Sequence, residues 1–130
     1  MSQKVERIVF AAPYSLIDYS SGAAVATNDC LQLLAGAGFR CQAYCPTRLD
    51  FNEEVCFEQT LSELGLEYRV ENAAVGSQRM KIVFTRLGKV PVTLFRNQFT
   101  RTGPWSDEIP AFLAGYERFL DTNRPHAVLT

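Results

Sequence analysis

The chain has 130 residues, enough for one domain with a substantial core. Hydrophobic residues make up 47%, charged residues 21%, and the formal net charge is −1, which removes any general electrostatic pull toward nucleic acid or an anionic membrane. No basic stripe with interleaved aromatics is present, so nucleic-acid binding is set aside.

The opening residues, MSQKVERIVF, lack the apolar core and cleavage site of a secretory signal. No apolar run approaches the roughly 20 residues of a membrane helix. The expectation is a cytoplasmic protein with no transmembrane segment, leaving room for peripheral association at the inner membrane face through parts outside this sequence.

The stretch Arg7 to Phe39 organises the rest. Ile8 to Ala12 is a short apolar run suited to a buried strand, and Pro13 ends it. A polar loop follows from Tyr14 to Ser21. Gly22 then opens a helix in which Ala26, Cys30, Leu33, Leu34 and Ala37 recur at helical spacing, predicting the buried stripe. Thr27, Asn28, Asp29 and Gln32 fall on the opposite face. Gly38 stands where a left-handed residue ends a helix. This is a strand–loop–helix unit whose helix start offers free amides to a phosphate or carboxylate.

Arg40 to Cys45 predicts a second strand closed by Pro46, followed by a polar loop, Thr47 to Asn52, carrying Arg48. Asn52 is the expected cap of a second helix, with Glu53 and Glu54 in its first turn and Phe57, Leu61 and Leu64 as its stripe. Gly65 ends it. Leu66 to Val70 predicts a third strand, and Glu71 to Gln78 a loop.

Met80 to Thr85 and Val90 to Arg96 read as a hairpin around Arg86-Leu87-Gly88-Lys89. Pro91 there implies an unpaired side at the start of the second strand. Asn97 to Trp105, containing Arg101, is a loop punctuated by Gly103-Pro104. A third helix is capped by Asp107, tolerates Pro110 in its first turn, and buries Ile109, Phe112, Leu113, Tyr116, Phe119 and Leu120. Asn123-Arg124-Pro125 ends it, and His126 to Thr130 begins a last strand. An apolar strand with nothing after it suggests a single domain, 1–130, taken from a longer chain.

Four cysteines are present. Cys41 and Cys45 share a strand face but lie about 13 Å apart by strand rise, too far for a disulfide or one tetrahedral metal. All four are expected as buried, reduced thiols, with no metal and no cofactor. Three loops should converge at the carboxyl edge of the sheet. The first is the best binding candidate, with backbone donors at Ser20, Ser21 and Gly22, and Tyr14, Asp18 and Tyr19 as side-chain hydrogen-bonding groups. Arg48 and Arg101 are candidate anion contacts from the other two loops. No G-x-G-x-x-G or P-loop pattern occurs. No catalytic triad or carboxylate pair can be assembled. The sole histidine, His126, is placed by the pattern on the edge away from the site.

The stretches RIVFAAPYSLIDYSSGAAVATNDCLQLLAGAGFRCQAYCP, VPVTLFRN and RPHAVLT resemble the N-terminal domain of retaining glycosyltransferases of the GT-B fold. In that family a glycine-containing loop leads to a long helix, then a G-H-x-V entry to the second strand; here Gly38-Phe39-Arg40 stands there. A P-D-V strand follows the later helix; here Pro125 is followed by His126. The resemblance implies an α/β, Rossmann-like, mainly parallel sheet with flanking helices and a β-hairpin, forming one half of a GT-B fold.

The resemblance further implies that the Ser21-Gly22 loop faces an interdomain cleft. The nucleotide-sugar donor would be held mainly by a C-terminal domain carrying an E-x7-E motif, and the acceptor would be a sugar or a lipid-linked acceptor. This chain alone would then not turn over. The rival expectation is a non-catalytic flavodoxin-like binding or regulatory module, which the absence of acidic residues in Ala11-Ala12-Pro13 counts against.

Overall fold

The computed structural model describes residues 6–12, 14–18, 22–47, 57–75, 78–95 and 109–129. The elements are β1 (Arg7–Ala11), α1 (Gly22–Gly36), β2 (Arg40–Pro46), α2 (Phe57–Glu63), β3 (Arg69–Val75), β4 (Gln78–Leu87), β5 (Val90–Phe95), α3 (Ile109–Asn123) and β6 (Ala127–Leu129). They form one six-stranded sheet in the order β3-β4-β5-β2-β1-β6. β5, β2, β1 and β6 run parallel to their neighbours in that block. The β3–β4 and β4–β5 pairs are antiparallel.

The central strands are apolar on both sides because helices cover both faces. Ile8 and Phe10 of β1 and Cys41, Ala43 and Cys45 of β2 join Leu31 of α1 and Leu61 of α2 in one core. Val9 and Tyr44 point the other way, into a core shared with Phe119 of α3. The sheet is therefore a middle layer between α1 with α2 on one face and α3 on the other.

The two faces are packed differently. Under α1 and α2 the β2 residues are small, and the thiols of Cys41 and Cys45 act as compact hydrophobes. Under α3 the centre is Tyr44, with only 1% of its surface exposed. Its ring lies 5.0 Å from that of Phe112, 5.6 Å from Tyr116 and 5.4 Å from Phe119. Phe95 meets Phe112 edge-on at 5.6 Å. The Tyr44 hydroxyl donates to the Phe112 carbonyl at 2.9 Å, giving a buried phenol its partner.

Helix α1 ends as the glycine predicts. Gly38 has φ +105, and the Phe39 amide donates back to Leu34 O, the longer bond of a Schellman cap. The buried side of α1, however, is rotated from the expected one. Ala24 and Leu31 are buried, whereas Cys30 is exposed and Leu33 is 76% exposed. The polar residues assigned to the outer face have partners inside. Gln32 donates to Leu87 O and to Asn28 Oδ1, and accepts from the Lys89 amide. In α2, Leu61 is buried but Leu64 is exposed, beyond the helix end. The expected caps Asn52 and Asp107 lie outside the described residues.

Residues 71–78, expected as a loop, belong mainly to strands. β3 pairs with β4 along its whole length, Arg69 opposite Phe84 through Val75 opposite Gln78. The Arg69 guanidinium also lies 4.7 Å over the Phe84 ring. The β4–β5 hairpin turns through Gly88-Lys89, and among described turn residues there only Gly88 has positive φ (+55), as a II′ turn requires. Pro91 opposes Arg86 on β4, while pairing with β2 starts only at Val92, so the missing N–H costs the ladder nothing on that side. No described helix is long and apolar enough to cross a membrane.

Candidate functional site

The chain reverses its winding around β1. The β1–α1–β2 connection moves to one side, and β5–α3–β6 returns to pair with the other side of β1. The carboxyl ends of β1 and β6 are therefore the topological switch point, where ligands bind in open α/β sheets. The first loop leaves β1 at this point.

Its first half folds down onto the sheet. The Ala12 amide continues the ladder to Tyr44 O at 3.2 Å. Ser15, Leu16, Ile17 and Asp18 are all buried. The Leu16 amide donates to Cys45 Sγ at 3.4 Å, and the Asp18 amide to Ser15 O at 3.2 Å, closing a tight turn. Tyr14 stacks obliquely with Phe10 at 6.2 Å, and its hydroxyl bonds Thr27 Oγ1 on α1 at 3.0 Å. Tyr14, nominated as a ligand contact, here ties the loop to the helix. Asp18, also nominated, is only 2% exposed.

The second half of the loop meets α1 at Gly22. That residue is exposed, and a Cβ built on it would touch no described residue within 4 Å. The first turn of α1 carries no acidic side chain, so the positive end of its dipole is not neutralised from within the helix. Open space and donor-rich backbone coincide here. Ser20, Ser21, Arg48, Arg101 and Tyr19 lie outside the described residues, so of the eight nominated residues the structure places Tyr14, Asp18 and Gly22.

Sequence reasoning did not single out Ser15, Thr27 or Cys45 as supports of this loop. Ser15 Oγ is fully buried and has no hydrogen-bond partner among the described residues, which is costly unless a group outside them answers it. Burial pushes the Cys45 thiol up to about 12, the Leu16 amide opposing that only in part. It is a neutral acceptor and no nucleophile. Thr27 carried a legible signal, a polar residue one and a half turns into an alanine-rich helix. Among the described residues no three His, Cys, Asp or Glu side chains are grouped to hold a metal. Three described cysteines are free thiols: Cys41 and Cys45 are buried, and Cys30 is not.

The fold defined by this sheet order, its two helical layers and its switch point is half of a GT-B fold. A solved structure carries it: over 97% of this chain the backbone matches the catalytic domain of starch synthase IV from Arabidopsis thaliana bound to ADP and acarbose, with a TM-score of 0.59 and 14% sequence identity. The chain spans 27% of that structure's length. No protein family matches the sequence, and no curated protein is similar to it.

Proposed function

We propose that this chain is the N-terminal, acceptor-side domain of a retaining glycosyltransferase, its full-length form moving a sugar from a nucleotide-sugar donor to a sugar or lipid-linked acceptor. One observation carries the reading: a chain-long match to a sugar transferase domain, with an open, amide-rich helix start at the sheet's switch point. The neighbour was solved with ADP and a sugar analogue, the two ligand types the proposal requires.

In this reading the backbone amides at Ser21 and Gly22 stabilise negative charge growing on the departing diphosphate. Ser20 and Tyr14 line the acceptor side, and Arg48 and Arg101 supply anion contacts from the neighbouring loops. A second domain holds most of the donor, and closure of the two excludes water. The reaction uses no metal in this scheme and takes place in the cytoplasm. Residues 1–130 by themselves bind but do not turn over.

The test is sugar transfer by the full-length protein, read by NMR with a panel of nucleotide-sugars, beside its Gly22→Trp variant. Because no described residue lies within 4 Å of a Cβ at that position, the variant is expected to keep its fold while filling the space above the helix start. Transfer lost in the variant, with unchanged thermal stability, supports the loop assignment. Undiminished transfer overturns it, and absence of transfer with every donor overturns the enzyme class.

A further inference from the structure

At the opposite, amino edge of the sheet lies a second concavity, of ≈ 380 Å³. Its walls come from three places: Phe39 in the α1–β2 turn, Arg40 and Gln42 at the start of β2, and Arg86 and Lys89 at the β4–β5 hairpin. β2 is seven residues long, so the two edges are about 20 Å apart. This cavity is no part of the site described above.

Its charge is one-sided. Arg40, Arg86 and Lys89 line it, no carboxylate does, and none of the three forms an ion pair with a described residue. Glu6 meets Arg40 through its carbonyl oxygen, which accepts the Arg40 amide at 2.9 Å. Arg7 stands beside Arg40 in the β1–β2 register, adding a further cation to that edge. Three like charges facing one space repel, and a bound anion relieves that repulsion.

The walls are also fixed in advance. Gln32 reaches from α1 to the hairpin, donating to Leu87 O and accepting from the Lys89 amide. Arg86 Nε donates to Gly88 O at 3.0 Å, which holds the guanidinium at the turn and leaves its terminal nitrogens for another acceptor. Phe39 contributes a half-buried ring, and Gln42 an amide that can bond a hydroxyl.

We propose that this cavity binds a small phosphate ester of monosaccharide size. Two arginines and a lysine take the phosphate, the arginines through paired N–H donors. Phe39 and Gln42 take the polyol. A volume of ≈ 380 Å³ is at the small end of ligand pockets, which favours such a molecule over a peptide. The proposal does not depend on the sugar-transfer reading, and its test uses no donor.

The experiment is an NMR titration of the 130-residue chain with a hexose monophosphate, inorganic phosphate and the unphosphorylated hexose in parallel. Saturable shifts at the Arg40, Gln42 and Lys89 amides with the ester are expected, weaker ones with inorganic phosphate, and none with the neutral sugar. The doubly substituted Arg40→Gln/Arg86→Gln chain should bind at least about tenfold more weakly, as should Lys89→Glu, a second variant that leaves the Gly88–Arg86 bond in place. Absence of saturation by about 10 mM ester overturns the proposal, as does equal binding by the variants. Inorganic phosphate binding as tightly as the ester overturns the sugar half.

Discussion

The two faces of the sheet solve the same packing problem with different materials. Beneath α3 the core is aromatic and is built around one large side chain, Tyr44, whose ring meets three others and whose hydroxyl reaches the helix backbone. Beneath α1 and α2 it is mainly aliphatic, Phe10 apart, and divided among many contributors, including the thiols of Cys41 and Cys45. A core centred on one ring fails at one point, whereas a distributed core fails by degrees. The candidate ligand loop rests on the distributed face, through Leu16 on Cys45 and Tyr14 on Thr27.

The largest effect should come from removing the centre. Tyr44→Ala should cost about 4 kcal/mol, because it combines a large cavity with the loss of several ring contacts. Chemical denaturation with near-UV circular dichroism checks it, and the aromatic signal should collapse with the stability. On the other face, Leu31→Ala should cost about 3 kcal/mol with that signal kept. If Leu31→Ala proves the more damaging of the two, the contrast between faces is wrong.

The next effect is one of pH and is strongest on the cysteine-bearing face. Cys45 is raised from 9.0 to about 12 by burial, and burial raises Cys41 and Tyr44 as well. Between these limits the folded state holds a proton that the unfolded chain releases. Stability is then complete below about pH 9 and falls as pH rises toward 12. Near pH 10 the Cys45 contribution is a loss of roughly 1 to 2 kcal/mol. Urea midpoints at neutral pH and pH 10 measure it, and Cys45→Ala should flatten the slope despite lower stability at neutral pH. The smallest effect belongs to the hydroxyl: Tyr44→Phe should cost about 1 kcal/mol, the worth of one buried hydrogen bond.

The same contrast decides what the sequence makes legible. The α3 stripe reads clearly because bulky aromatics alternate with Glu117, Arg118 and Asp121, giving strong periodic contrast. Even so, Leu113 of that stripe is half exposed. Helix α1, GAAVATNDCLQLLAG, is apolar nearly all round, so its period has little to lock onto. Its true face is set by Gln32 reaching the hairpin and Thr27 reaching Tyr14, contacts made across 55 and 13 residues of sequence. The third strand, expected at Leu66 to Val70, was misplaced for a related reason, β3 running instead over Arg69–Val75. Glu71-Asn72-Ala73-Ala74 has poor strand propensity, and β4 imposes the extended form by pairing. The site was legible only as a place in the fold, since the first loop's position follows from strand–loop–helix order. That Ser15 to Asp18 are buried follows from tertiary packing that no local pattern encodes.

At the amino edge, β6 is fastened to β1 by a reciprocal pair. The His126 amide donates to Arg7 O at 2.8 Å, and the Arg7 amide donates to His126 Nδ1 at 2.9 Å. An imidazole thus stands in for a main-chain carbonyl where the last strand begins. Further along, Val128 and Leu129 remain substantially exposed. The strand pairs with β1 as far as Leu129 opposite Phe10, yet it is exposed along its whole length. Its hold on the sheet therefore rests on backbone bonds and this clasp rather than on buried side chains, and it should exchange its amide hydrogens before β1 and β2 do. Opening of this edge strand would alter the rim of the switch point while the sheet beneath stayed intact.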